Sequence, residues 1–345
     1  MLSAVRGFFA QDIAIDLGTA NTLVYCIGRG IVFNEPTVIA LRDDGARRRV
    51  IAFGSEAKAM LGKTPAGVHA IRPLSDGAVT DFEVAEELIK LVISRALNRR
   101  GPVVNARVVI TVPSGSTAVE RRAIRESAEK AGARRVFLID EPIAAAIGAE
   151  LPVTEPRASM VVDIGGGTTE VAVMSLGGIV SSQCIRVAGN AMDAAVASYM
   201  RRRYNLHIGE RTAEMIKLTV GAACPSLNGE ERRMVVKGRD LVAGIPRTQE
   251  IHESEVIACL AEPVGAIVDA VRTTLERTVP ELSADMVENG MILTGGGGLL
   301  RNLDVVLAHA TGLPTKVARD PLTCGAMGAG LALERVGKLE RFLIQ

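Results

Sequence analysis

The chain has no tryptophan, and its 345 residues include only seven Phe and three Tyr. So few rings offer no platform on which nucleobases could stack. Charge of one sign is also lacking. Forty Lys and Arg stand against 39 Asp and Glu, a formal net charge of +1, whereas a protein that tracks nucleic-acid phosphates is normally basic. Five cysteines (Cys26, Cys184, Cys224, Cys259 and Cys324) make an odd number without a C-x-x-C pair. They predict buried, reduced thiols in a cytosolic protein. The four histidines (His69, His207, His252 and His309) are scattered and form no H-E-x-x-H or His/Cys cluster, so no zinc site is expected. No run of about 18 uncharged apolar residues exists, which excludes a spanning helix. Met1–Phe9 is too short for a signal-peptide core, so no secretory signal is expected.

What is present is apolar: 48% of the residues are hydrophobic, 23% are charged, and the mean hydropathy is +0.25. That balance excludes intrinsic disorder, and the length predicts about two domains. Strands and helices alternate. Short apolar runs at Asp12–Asp16, Thr22–Ile27, Val38–Leu41, Val50–Phe53, Val108–Val112, Val136–Ile139, Met160–Asp163 and Met291–Leu293 read as strands. Helical spacing marks residues 80–99 through Val79, Phe82, Leu88, Ile89, Val92 and Leu97. Ala118–Ala131 reads as a helix stopped by Gly132, and Pro142–Glu150 as a helix with Pro in its first turn. Further helices are expected at about 191–204, 210–220, 253–278 and 301–310, and the turn-rich stretch 222–250 as a smaller subdomain. The fold class is α/β with mixed sheets.

An internal repeat carries the first chemical signal. Asp16–Val24 (DLGTANTLV) aligns with Asp163–Val171 (DIGGGTTEV), 147 positions later, and each copy follows a short apolar strand. Each reads strand, Asp, Gly-rich turn, strand. Such a turn exposes successive backbone N–H groups that bind phosphate oxygens, and Thr19, Asn21 and Thr168 add side-chain donors. An Asp at each strand end suits a hard cation held through water, as Mg²⁺ dehydrates reluctantly. Two copies suggest two similar domains that clamp one polyphosphate. A single tight hairpin would need the same glycines, but two copies with Asp and Thr in register favour the binding role. Other nucleotide motifs fail. Gly62-Lys63-Thr64 lacks the earlier P-loop glycine, because Ala57 stands there, and reads as a helix stop and loop. A G-x-G-x-x-G motif beginning at Gly295 breaks at Leu300, which leaves a Rossmann dehydrogenase little support.

At these residues the chain resembles the actin, Hsp70 and sugar-kinase ATPase superfamily. The ordered set is a first hairpin at 12–25, Glu141–Gly148 (EPIAAAIG), a second hairpin at 160–173, Ile292–Leu300 (ILTGGGGLL) and Gly325–Leu333 (GAMGAGLAL). Within that superfamily it is similar to the MreB family of bacterial actins. Supporting stretches include Asn34–Pro36, Ile71–Pro73, Asp81–Glu86, Val112–Gly115, Val119–Ala123, Ile208–Lys217 and Val236–Leu241. Ala188-Gly189-Asn190 stands where the family often has Gly-Gly-Asp.

The resemblance implies ATP and Mg²⁺ as ligands. Gly18, Thr19, Ala20 and Asn21, with Gly165, Gly166, Gly167 and Thr168, would hold the β- and γ-phosphates, and Asp16 and Asp163 the metal, mostly through water. Glu141 would orient the attacking water with help from Thr168; from sequence alone a first-turn carboxylate favoured by the helix dipole explains it equally well. Glu214 and Lys217, three apart on one helix, would reach ribose and adenine, the plain alternative being a surface ion pair. Gly295, Gly296, Gly297 and Gly298 would let backbone approach the nucleotide. Small residues at 325–332 would let two connecting helices cross closely. The resemblance also implies four subdomains. The first large one is 1–31, 73–150 and 320–345, with its small one at 32–72. The second large one is 151–186 and 245–319, with its small one at 187–244.

Met1, Leu2, Val5, Phe8 and Phe9 fall on one face at helical spacing. With the resemblance, they imply an amphipathic segment lying in a membrane interface. Each buried side chain is worth about 1.5–3 kcal/mol before ordering costs, so many copies on a filament would bind where one binds weakly. Asn98–Val104 is a weaker second candidate. The function expected is a slow ATPase forming membrane-associated cytoskeletal filaments with itself on the inner face of the cytoplasmic membrane. There it would work with membrane proteins of the rod-shape and wall-synthesis machinery, and not with nucleic acid. The alternative is a small-molecule kinase of the same superfamily, for which no acceptor pocket is evident.

Overall fold

The computed structural model describes residues 12–45, 47–75, 77–96, 106–226, 229 and 231–344. Met1, Leu2, Val5, Phe8 and Phe9 lie outside the described residues, as does Asn98–Val104.

In chain order the first part contains β1 (Ile13–Leu17), β2 (Asn21–Cys26), β3 (Gly30–Pro36), β4 (Ile39–Asp44), β5 (Arg47–Phe53), α1 (Ser55–Met60), β6 (Val68–Ile71), β7 (Leu74–Ser75), β8 (Ala78–Val79), α2 (Phe82–Ala96), β9 (Arg107–Val112), α3 (Ala118–Lys130), β10 (Arg135–Asp140) and α4 (Glu141–Gly148). There follow β11 (Ser159–Ile164), β12 (Thr169–Ser175), β13 (Gly178–Ile185), α5 (Gly189–Tyr204), β14 (Leu206–His207), α6 (Glu210–Val220), β15 (Arg233–Asp240), β16 (Pro246–His252), α7 (Glu253–Glu276), α8 (Pro280–Asn289), β17 (Met291–Thr294), α9 (Leu303–Thr311), β18 (Thr315–Val317), α10 (Cys324–Glu334) and α11 (Val336–Leu339).

The chain divides into two compact units. One takes residues up to Pro156, Met174–Ile179 and residues from Leu322 on; the other takes Arg157–Val173 and Val180–Pro321. In the first, β1 pairs antiparallel with β2 and parallel with β9, giving a mixed sheet ordered β10-β9-β1-β2-β3. Side chains alternate across a strand. Ile13 and Ile15 therefore join Leu88, Ile89, Val92 and Ile93 of α2 in one buried cluster, while Asp16 faces the other way, beside Gly325 of α10. The second unit repeats the plan with the order β13-β12-β11-β17-β18. Met160, Val162 and Ile164 of β11 enter a core with Met192 and Val196 of α5 and Ile216 of α6.

Local chemistry accounts for the helix ends. Thr117 and Glu120 form a reciprocal capping box on α3. At its other end Gly132, at φ +100°, lets Ala133 N–H reach Ala128 O and Gly132 N–H reach Glu129 O, the paired bonds of a glycine-terminated helix. Gly62, at φ +69°, follows the end of α1, so the P-loop lookalike is a helix stop. The turn-rich stretch forms a small antiparallel sheet ordered β14-β15-β16, which extends past residue 244 to His252. The expectation of five buried thiols is corrected. Cys26 and Cys324 are buried, Cys224 and Cys259 are half-buried, and Cys184 is exposed, because it lies on β13 at the edge of its sheet. No helix among the described residues is long and apolar enough to cross a membrane.

Candidate functional site

The first hairpin turns between Leu17 and Thr22, which face each other across β1 and β2. Gly18 is sterically required: a Cβ there would lie 2.7 Å from Asn21 O. Thr37, fully buried, fixes the turn from behind. Its hydroxyl donates to Gly18 O at 2.6 Å and its N–H to Ala20 O at 2.9 Å, and its Oγ1 lies 2.9 Å from that of Thr22. In a trans peptide the C=O and the following N–H point opposite ways. Anchoring the Gly18 carbonyl on Thr37 therefore turns the Thr19 N–H outward, away from the clamp.

The second hairpin is built alike. Gly165 N–H donates to Thr168 O at 2.9 Å, and a Cβ at Gly165 would lie 3.3 Å from that oxygen. Here the clamp is the first turn of α5. Gly189 N–H donates to Gly165 O at 3.2 Å and Asn190 N–H to Gly166 O at 2.7 Å. These two amides belong to a helix start, where no intrahelical acceptor exists. By the same peptide geometry, the N–H groups of Gly166 and Gly167 turn away from α5. Consecutive outward N–H groups make a nest for an anion.

Each Asp is anchored in the same way. Asp16 Oδ1 accepts from Thr111 Oγ1 at 2.8 Å, and Asp163 Oδ1 from Thr294 Oγ1 at 2.9 Å. Both threonines lie on the parallel neighbour strand: Asp163 sits opposite Thr294, and the register of β1 with β9 brings Asp16 opposite Thr111. Each carboxylate also has a glycine against it. A Cβ on Gly325 would lie 2.5 Å from Asp16 Oδ2, and one on Gly295 2.8 Å from Asp163 Oδ1. Burial pushes the Asp16 carboxyl above its usual range, opposed by the Thr111 bond.

Glu141 begins α4, with Pro142 behind it in the first turn. Its neighbour Asp140 forms an ion pair with Arg121 of α3 at 2.7 Å. The far end of α4 crosses α10 in backbone contact. A Cβ on Gly148 would lie 2.0 Å from Cys324 O, and one on Gly328 1.8 Å from Ala144 O. Small residues in both connecting helices are thus a packing requirement.

Glu214 and Lys217 are both half-buried on α6, but the ion pair of Lys217 is with Asp193 of α5, at 2.8 Å. Gly295 and Gly297 lie against the end of β11, where Cβ atoms would approach Ile164 O at 2.3 Å and Ile164 Cγ2 at 2.4 Å. Part of the glycine run therefore serves the packing of β17 onto β11. The sequence reading missed Thr37, Thr111, Thr294, Arg121 and Asp193. Position alone does not single out the threonines: Thr37 lies between β3 and β4, Thr111 sits one residue inside the end of β9, and only Thr294 ends its strand beside a motif glycine. Asp193 carried no signal, because its partner comes from another helix.

The chain matches the MreB/Mbl protein family over residues 10–341. It is 54% identical over 342 residues to the cell shape-determining protein MreB of Escherichia coli K12, covering 97% of each chain. It is 48% identical over 333 residues to the cell shape-determining protein Mbl of Bacillus subtilis 168, covering 96% of this chain and 98% of that one. Among solved structures it resembles MreB5 of Spiroplasma citri. The ADP-bound form has TM-score 0.89 and 39% identity, covering 95% of this chain and 98% of that one. The AMPPNP-bound form has TM-score 0.90 and 38% identity, covering 95% and 97%.

Proposed function

The chain belongs to the MreB/Mbl family, and from that premise we propose that it is an actin-like ATPase that assembles into filaments and helps determine cell shape. The observation that carries the nucleotide part is the duplicated hairpin: a Thr-anchored Asp, a glycine turn clamped through its carbonyls, and N–H groups turned outward. That arrangement fits a polyphosphate, because the donors are fixed before the ligand arrives and cost no reorganisation.

The donor set also fits magnesium. Asp16 and Asp163 each offer a hard carboxylate oxygen, and among the described residues no cluster of His, Cys, Asp or Glu offers a cage of protein ligands alone. One or two carboxylates with waters is the setting magnesium prefers. When bound, the ion would neutralise charge on the transferring phosphoryl group. Gly18–Asn21 and Gly165–Thr168 bind phosphate oxygens. Glu141, which opens α4 next to an Asp140 engaged by Arg121, would orient the attacking water, with help from Thr168. Glu214 and Lys217 contact ribose and base, and Gly295–Gly298 give backbone approach to the nucleotide.

The four-subdomain division goes with this reading, as do a cytoplasmic location, slow hydrolysis that loosens subunit contacts, and attachment through Met1, Leu2, Val5, Phe8 and Phe9 to the inner membrane face. There the filament meets the membrane proteins of rod-shape and wall synthesis. The test is Glu141→Ala. ATP affinity is expected within about threefold of wild type, with phosphate release reduced about 100-fold or more, the scale of general-base catalysis. Unchanged phosphate release rejects the role of Glu141.

A further inference from the structure

We infer that Asp193 is a positioning residue that ties the base side of the nucleotide site to the phosphate turn through Lys217 and the first turn of α5. The inference rests on the nucleotide reading above and adds a coupling within the second unit.

Lys217 Nζ is held by two groups at once, Asp193 Oδ1 at 2.8 Å and Gly189 O at 2.9 Å. Gly189 and Asp193 are four residues apart on α5, so the carbonyl and the carboxylate share one helix face and one ammonium bridges them. The side chains of Lys217 and Asp193 are only 13% and 17% exposed. At that burial the ion pair between Lys217 and Asp193 is screened much less than one at the surface. The bridged turn is the one whose Gly189 and Asn190 amides hold Gly165 O and Gly166 O. There is no slack at the junction. A Cβ on Gly189 would meet Gly165 O at 3.3 Å on one side and Lys217 Nζ at 3.4 Å on the other.

The path is therefore continuous, from Asp193 to Lys217, to the first turn of α5, to the carbonyls whose peptides aim the Gly166 and Gly167 amides. Without the Asp193 charge the ammonium is free to leave Gly189, and the clamp on the phosphate turn loosens. A base that engages Lys217 acts on the same lysine that holds the turn.

The experiment uses the full chain and Asp193→Asn, with two ligands, Mg·ATP and Mg·tripolyphosphate, which has no base. In ligand-free protein, amide exchange at Gly189 and Asn190 is expected to rise about tenfold, with exchange in β17 unchanged. Affinity is expected to fall about tenfold for both ligands, and Asp193→Glu, which keeps the charge, is expected to recover most of it. Three results overturn the inference while leaving the nucleotide reading intact. They are unchanged exchange at Gly189 and Asn190, a loss for ATP without a loss for tripolyphosphate, and a lowered melting temperature with both affinities unchanged. Wild-type protein that binds neither ligand removes the nucleotide reading and this coupling together.

Discussion

Replacing Gly328 by Ala tests the tightest site for an added Cβ among the glycines of the described residues. The new Cβ would lie 1.8 Å from Ala144 O and 2.7 Å from Gly148 N. Carbon–oxygen contact ordinarily begins near about 3.3 Å, so α4 and α10 must part by roughly 1.5 Å. Both obstructing groups are helix backbone, and no rotamer change relieves them. Overpacking costs about 1–3 kcal/mol. A gap of that width also forfeits about half of each neighbouring dispersion contact, themselves about 0.1–0.2 kcal/mol. Ala144, Ala145, Ala329 and Ala332 around the crossing are fully buried, so there is no solvent to fill the gap. The intrinsic helix gain of Ala over Gly returns only about 0.5–1 kcal/mol. A net loss of about 3 kcal/mol is expected. Gly265, inside α7 with nothing within 4 Å of its Cβ position, is the control, and Gly265→Ala is expected to stabilise by about 0.5–1 kcal/mol. Urea unfolding followed by circular dichroism reads both variants, with the slope m checked for constancy. A Gly328→Ala protein as stable as wild type, with unchanged m, refutes the crossing geometry and with it the reason for the small residues.

Three further outcomes are expected. With three tyrosines and no tryptophan, phenolate absorbance titrates cleanly. All three phenols are raised: Tyr25 and Tyr199 chiefly by burial, and Tyr204 chiefly by its bond to Glu255, up to about 12. Less than half of the tyrosine should be ionised at pH 10. The contribution of Tyr204 to stability, full below about pH 10, is lost as the pH rises towards 12; full ionisation of folded protein at pH 10 contradicts this. Asp16 is raised by burial, so its ionised form burdens the ligand-free fold, and stability falls as pH rises through the folded pKa. Asp16→Asn should raise the melting temperature of nucleotide-free protein at pH 7 while abolishing Mg-dependent ATP binding; a lower melting temperature overturns the desolvation argument. Thr111→Val removes the hydroxyl that Asp16 accepts from and should cost about 1–3 kcal/mol in thermal melts. A neutral result removes the anchoring role.

Both hairpins were legible in the sequence because their chemistry repeats at one fixed spacing, with Asp16, Gly18 and Asn21 recurring as Asp163, Gly165 and Thr168. The anchors were not, although they repeat too. Thr111 and Thr294 are 183 positions apart, since unequal segments separate each from its hairpin. A parallel strand pair thus carries a symmetry that a fixed offset cannot detect. Helical spacing offered Glu214 as the neighbour of Lys217, but spacing within one helix cannot show that α5 packs alongside and supplies Asp193. Long periodic helices such as α2 and α7 were visible, with the start of α2 two residues later and the end of α7 two residues earlier than expected. The helix α8 was missed because only Leu282 and Met286 mark its apolar side, despite Pro280 at its start and Gly290 just past its end. Cys184 shows the limit of composition: an odd, unpaired thiol reads as buried, and only the sheet order reveals its edge position.

Electron microscopy of the purified chain, mixed with Mg·ATP and lipid vesicles, tests the central claim most directly. Filaments lying on the vesicle surface are the predicted result. Persistent monomers that bind ATP and pass its γ-phosphoryl group to a small molecule would contradict it.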